Sequence, residues 1–162
     1  MKQYFILAIA LLLASTAFAQ VPNIKLKDLS GKEVSLQDAI KNDGNPVLID
    51  FFATWCKPCI KELKAISDIY EDWQKETGVK MIIVSIDDSR TTANVRTLVN
   101  AQGWDFDVLL DVNSDLKRAM NVANPPHTFV LNSEGKIVFQ HNGYSEGSED
   151  ELIEEVRKAK TK

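Results

Sequence analysis

Nine residues, Phe51-Phe52-Ala53-Thr54-Trp55-Cys56-Lys57-Pro58-Cys59, constrain this chain most, because they hold both of its cysteines and join two segments of different periodicity. Upstream, Val47-Leu48-Ile49-Asp50-Phe51-Phe52 reads as a buried strand. Downstream, Ile60, Leu63, Ile66, Ile69, Tyr70 and Trp73 recur at three- and four-residue spacing, one side of a helix that stops near Gly78. The two thiols are thereby placed where a strand hands over to a helix N-terminus.

Around this unit the pattern continues. Ile24 to Leu29 and Glu33 to Leu36 alternate apolar and polar across a Ser30-Gly31 turn, which predicts an N-terminal hairpin. Ser35 is placed to cap a short helix ending near Lys41, and Asn42-Asp43-Gly44-Asn45-Pro46 breaks the chain before the buried strand. Val79 to Ile86 is a second continuous apolar strand, the sign of a sheet covered on both faces and most economically parallel there. Thr91 to Gln102 predicts a helix with Val95, Leu98 and Val99 on one side, Phe106 to Leu110 a short strand, and Ser114 to Met120 a short helix. After Asn124-Pro125-Pro126, strands at His127 to Leu131 and Ile137 to His141 flank a glycine-containing turn. Ser148 and Glu151 have capping-box spacing before a helix with Leu152, Ile153 and Val156 on its apolar side. The alternation predicts an α/β fold with a mixed sheet, formed by one domain over residues 20–162.

Residues 1–19 differ. Lys2 is their one charge, Phe5 to Ala14 is unbroken apolar, and Ala17-Phe18-Ala19 has the small-x-small form of a cleavage site, so 1–19 is expected to be a secretory signal peptide. The run is about half the roughly 20 residues needed to span a bilayer. Gln20 stands where a lipoprotein would carry cysteine. Removing Lys2 with the signal leaves 18 basic residues of the original 19 against 23 acidic, a formal charge of −5. Without a basic run, no nucleic-acid partner is expected. Export places the thiols where disulfides persist.

Cysteines at i and i+3 on a first helical turn are close enough to bond, and three uses compete. As a staple, a four-residue loop is worth only about 2 kcal/mol against about 4.7 kcal/mol for a 100-residue loop. As a metal site, the pair finds only His127 and His141 to join it, without zinc-type spacing, so no metal or other cofactor is expected. As a redox pair it has a mechanism. The helix dipole and Lys57 favour the Cys56 thiolate as nucleophile, and Cys59, one turn inward, resolves the mixed disulfide. Pro58 loses nothing in the first turn, where its missing N–H would be unpaired anyway. Asp50, the lone acid of its strand, is either an exposed edge residue or, if buried, a carboxyl of raised pKa able to take and return the proton of Cys59.

These residues resemble the thioredoxin fold, and within it the exported TlpA-like thiol:disulfide oxidoreductases. The resemblance covers essentially all of 20–162 and is carried by Val47 to Cys59, by Pro126-His127-Thr128-Phe129-Val130, and by the Glu134-Gly135 turn. The helix and strand at about 91–110 are similar to the insertion that separates this group from plain thioredoxin. The resemblance implies that Pro126 is a cis-proline facing the disulfide beside a substrate-pairing backbone, with a trans turn as the alternative. It also implies that Trp55, Lys57, Pro58, Pro126 and His127 meet the client. His127, where the family commonly has threonine, is either an exposed strand-end residue or a tuner of the thiols. Lys57-Pro58 implies reducing character, because strongly oxidising relatives tend to carry histidine at the position of Pro58. The implied protein is a periplasmic monomer acting on protein thiols and disulfides and recharged by a membrane electron donor. Two other readings compete: a thiol peroxidase of the peroxiredoxin type, against which Ala53 stands where that pattern has Thr or Ser, and a binding module without turnover.

Overall fold

The computed structural model describes residues 20–160, so the expected signal peptide lies outside the described residues. Twelve elements follow one another: β1 (Lys25–Asp28), β2 (Glu33–Ser35), α1 (Leu36–Ala39), β3 (Val47–Phe52), α2 (Lys57–Thr77), β4 (Lys80–Ser85), α3 (Ala93–Gln102), β5 (Asp107–Leu110), α4 (Asp115–Ala119), β6 (His127–Leu131), β7 (Ile137–Asn142) and α5 (Ser148–Lys160). The strands form one sheet in the order β2-β1-β5-β4-β3-β6-β7. Its centre, β5-β4-β3, is parallel, and the remaining pairs are antiparallel. The expected N-terminal hairpin therefore joins the sheet through β5, the strand of the expected insertion.

Strand β3 is buried at all six positions, as its unbroken apolar run requires. Alternation sends Leu48 and Phe52 into one core with Cys59, Leu63 and Ile66 of α2, Val95 and Val99 of α3, and Leu152 and Val156 of α5. Val47, Ile49 and Phe51 point the other way, into a core with Leu36 of α1 and Leu116 of α4. Leu63 and Ile66 have no exposed surface, and each such side chain contributes about 2 kcal/mol of transfer free energy.

Helix α2 ends where its sequence says. Gly78 adopts φ 73°, the left-handed backbone that favours glycine, and a Cβ there would stand 2.7 Å from Asn45 Oδ1 and displace that side chain. The insertion is bound to the centre by aromatic edges: Trp104 meets Phe52 at 6.3 Å, and Phe106 meets Tyr70 at 5.2 Å. The Tyr70 hydroxyl also accepts from Met81 N at 2.8 Å, tying α2 to β4.

The two expected caps, at Ser35 and Ser148, form differently, and α4 starts without a serine cap. Ser35 makes no capping bond to α1, and its hydroxyl donates to Asn23 Oδ1. Ser114 lies in the left-handed region without capping α4, whose free N–H groups of Leu116 and Lys117 donate to the buried Asp111 instead. Ser148 turns back to Ser145, donating to its carbonyl and accepting from its N–H, so the reciprocal box with Glu151 is replaced by a tightened turn. In each case a nearby loop group outcompetes the local pairing.

Candidate active site

Cys56 occupies the N-cap position of α2, and Pro58 lies in its first turn. Cys56 and Cys59 form a disulfide, with Cα atoms 5.3 Å apart. Cys59 N donates to Cys56 Sγ at 3.3 Å, so the sulfur takes one of the amides that a helix start leaves unpaired. Cys56 keeps 5% of its surface and Cys59 none, which makes Cys56 the sulfur a partner reaches first. Trp55 beside it is 59% exposed, the only large apolar side chain so presented among the described residues. Lys57 and Pro58 are exposed and, with Lys61, border a groove closed on the far side by Tyr144, Ser145 and Glu146.

The loop entering the disulfide is held by Asp87, just past β4. Thr54 N and Thr54 Oγ1 donate to its two carboxylate oxygens at 2.8 and 2.6 Å, and Ser85 Oγ adds a third bond at 2.8 Å. Asp87 has no exposed surface. Sequence reasoning missed it, because an acid following a strand reads as an ordinary loop residue.

Asp50 is not an edge residue. It is fully buried in the central strand β3 and shares the parity of Leu48 and Phe52, so it faces the layer that contains Cys59. Thr128 Oγ1, on the paired residue of β6, donates to Asp50 Oδ2 at 2.6 Å, and Oδ1 has no hydrogen-bond partner. Burial pushes the Asp50 carboxyl up to about 7, and the Thr128 bond opposes this only in part.

A second acid joins it. Glu62, 3% exposed, lies one helical turn beyond Cys59 on the same face of α2, and its Oε1 is 3.3 Å from Thr128 Oγ1. Burial, then the neighbouring Asp50 charge, pushes Glu62 up to about 9. Glu62 was also missed, although a signal existed: it stands three residues after Cys59 and four before Ile66, a lone acid on the buried stripe.

The peptide between Pro125 and Pro126 is cis, and Pro126 is buried, its carbonyl accepting from Gly143 N at 2.9 Å. Pro125 has no N–H, so at that position the loop offers a carbonyl only. His127 is not an exposed strand end. It is 7% exposed, its register places it opposite Phe51, and its ring stacks on Phe129 at 4.5 Å with Nε2 3.1 Å from Gln140 Oε1. That is the opposite face of the sheet from Asp50 and Thr128. Burial lowers its pKa. The structure thus gathers Cys56, Cys59, Asp50 and Glu62 on one side and turns His127 to the other.

Among the described residues no group of three or more His, Cys, Asp or Glu side chains is placed to hold a metal ion, and no helix is long and apolar enough to cross a membrane.

A model of the AhpC/TSA family matches residues 18–140. Thiol-disulfide oxidoreductase ResA of Bacillus thuringiensis (strain Al Hakam) is 34% identical over 121 residues, which are 75% of this chain and 66% of that protein. Thioredoxin-like protein YneN of Bacillus subtilis (strain 168) is 36% identical over 130 residues, 76% of this chain and 70% of its own length. Among solved structures, a thioredoxin-like protein from Porphyromonas gingivalis superposes with a TM-score of 0.77 at 49% identity, covering 89% of this chain and 94% of that one. The chain spans just under two thirds of the length of the ResA protein, and the thioredoxin-like fold read from its residues is the fold of these relatives.

Proposed function

The chain belongs to the AhpC/TSA family, and from that premise we propose that it is an extracytoplasmic thiol:disulfide oxidoreductase working in the reducing direction on protein clients. The observation that carries this reading is the Cys56–Cys59 disulfide at the start of α2 with the buried carboxyl of Asp50 in the layer behind it. In the reduced protein the Cys56 thiolate, stabilised by the helix N-terminus, attacks a client disulfide and forms a mixed disulfide while one client thiolate leaves. Cys59 then gives its proton to Asp50 and attacks Cys56 Sγ, releasing the second client thiolate. The two client sulfurs gain two electrons, and the two cysteines lose them as their bond forms.

Trp55 and the groove bordered by Lys57 and Pro58 supply the client contact, with the carbonyl of Pro125 as an acceptor for an extended client backbone. His127 enters this picture as the residue that fixes the start of β6 through its stacking on Phe129. Residues 20–162 are the working domain, exported to the periplasm by the signal at 1–19, monomeric, and returned to the dithiol form by a membrane electron donor. The names of the ResA and YneN relatives support the chemistry, and the apolar segment at 5–14 supports the location.

The test is capture. Cys59→Ser protein is expected to retain clients as mixed disulfides through Cys56, and Cys56→Ser,Cys59→Ser protein to retain none. Equal retention by both would leave only a binding module. A reduction potential at or above about −120 mV would reverse the assigned direction.

The family match also favours a second reading, thiol peroxidase activity. Ala53 and the pairing of Cys56 with Cys59 weigh against it, and peroxide consumption that vanishes in Cys56→Ser would establish it.

A further inference from the structure

The buried acids form a chain that leads away from the disulfide. A hydroxyl carries one hydrogen, and that of Thr128 is committed to Asp50 Oδ2 at 2.6 Å. Glu62 Oε1 lies 3.3 Å from the same hydroxyl, so both acids are within reach of its one hydrogen, and while the shorter bond gives that hydrogen to Asp50, Thr128 Oγ1 is left to accept from Glu62 when Glu62 is protonated. The raised titration of Glu62 agrees with this count. So the three side chains hold one carboxyl proton between two carboxyls, and the Thr128 hydrogen points to whichever acid is ionised.

The far end of the chain reaches the surface. Glu62 and Thr128 line a cavity of about 10 Å³ for the centre of a water-sized sphere, close to the space that one water requires. Its other walls are Phe139 and His141 of β7 and Ser148, Glu151 and Leu152 of α5. His141 and Ser148 are half-buried and Glu151 is exposed. The charged and titratable groups facing this end are Glu149 and Glu151 of α5 and His141 of β7, with Tyr144 between β7 and α5; Asp50 of β3 faces it from inside. The cavity is bounded by β7 and α5, whereas the sulfur that a client reaches first lies at the N-terminus of α2 beside Trp55.

We propose that Asp50, Thr128 and Glu62 are a proton exit, carrying the proton that Cys59 loses during resolution to the β7–α5 cavity while a client covers the disulfide. The inference rests on the oxidoreductase reading above. Cys59 passes its proton to the unpartnered Oδ1 of Asp50 as its sulfur attacks Cys56 Sγ. Glu62 releases the proton it already holds into the cavity. The Asp50 carboxyl then rotates so that the oxygen that took the proton faces Thr128 and donates to it, the Thr128 hydrogen turns to Glu62, and the chain again holds one carboxyl proton with its direction reversed. The Asp50 proton then passes to Thr128 Oγ1 as the Thr128 hydrogen passes to Glu62, which restores the starting arrangement with one proton released and none taken up. No atom is gained or lost, and the client thiolate takes its proton from solvent on its own side. Thr128 and Glu62 act through Asp50 and are positioning residues, not ones that touch the reacting sulfurs.

The experiment is a single-turnover reaction of the reduced, full-length mature protein with a folded disulfide protein, insulin, and separately with the small disulfide of oxidised glutathione, in H₂O and D₂O. Thr128→Val keeps shape and removes the hydroxyl; Thr128→Ser restores it. Resolution of the insulin mixed disulfide is expected to slow about tenfold in Thr128→Val, with a larger solvent isotope effect, and to recover in Thr128→Ser. Glutathione, which leaves the disulfide face open to solvent, is expected to show less than about a threefold change. Equal slowing with both clients, or wild-type rates and isotope effects in Thr128→Val, would overturn the exit. Infrared spectra of the oxidised protein provide a readout without turnover: a protonated-carboxyl band at pH 7 that Glu62→Gln removes is expected, and its absence from the wild type would overturn the proton count even if the enzyme is active. Wild-type protein that exchanges no disulfide with either client would end the oxidoreductase reading itself, a result distinct from a working Thr128→Val.

Discussion

Asp87 and Asp50 are both fully buried, one just past β4 and the other within β3, yet three donors meet the oxygens of Asp87 and one meets those of Asp50. Both acids stand behind the same disulfide. Asp87 uses its bonds to hold Thr54, two residues ahead of Cys56, so its carboxylate is a clamp. Asp50 keeps an oxygen unpartnered and a second acid, Glu62, close by, so its carboxyl is free to change protonation. Burial by itself therefore does not tell what an acid does; the number of donors around it decides.

The largest effect should come from breaking the clamp. Asp87→Ala removes the acceptors of the half-buried Thr54 N–H and hydroxyl and of the fully buried Ser85 hydroxyl, and it is expected to cost about 3 kcal/mol in urea unfolding. Asp87→Asn, which keeps one acceptor oxygen, should cost less than half of that. A loss below about 1 kcal/mol for the alanine variant would break the contrast.

Next is the pH dependence of the other acids. Their pKa values are raised in the fold, so the native state holds protons that the unfolded chain gives up near pH 4. The stability they contribute is complete below that unfolded value and is lost as pH climbs to about 7 for Asp50 and about 9 for Glu62. Asp50→Asn together with Glu62→Gln should flatten this decline and leave the protein more stable than wild type at pH 9, on the order of 3 kcal/mol. Chemical unfolding across pH 4 to 9 reads it directly, and a variant whose stability falls with pH as the wild type's does would refute the proton-holding pair.

Smaller changes sharpen the same comparison. Thr54→Val removes one of the three donors to Asp87 and should cost about 1 kcal/mol in urea unfolding while leaving the slope of stability with pH unaltered. Lys57→Ala, on the exposed side of the disulfide, should lower the alkylation rate of Cys56 in the reduced protein at pH 7 by only about twofold, since a solvated charge adds little to the helix N-terminus.

Much of this architecture was readable in one dimension. The strand at 47–52, the helix that ends at Gly78, the helix and strand of the insertion and the hairpin after Pro126 all follow from periodicity and breaker residues, which report local geometry and solvent contact. The cysteines were readable for the same reason, because their spacing and helix-start position are local facts. Asp50 was legible only as an alternative between edge and core. Its burial depends on β6 lying beside β3, a pairing between residues 78 positions apart. Glu62 could have been found as an acid on an apolar stripe, whereas Asp87 could not, since its donors come from a loop 33 residues earlier.

What the sequence by itself determined is the redox unit: two thiols on a first helical turn, after a buried strand, in one α/β domain. What only the tertiary structure decided is the environment of that unit. It placed His127 on the far face, gave Asp87 its donors, and set Asp50, Thr128 and Glu62 in contact. The physical reason is that hydrogen-bond donation and desolvation act over a few ångströms in space, and distant stretches of chain come that close only when the sheet and its helices have closed over the site.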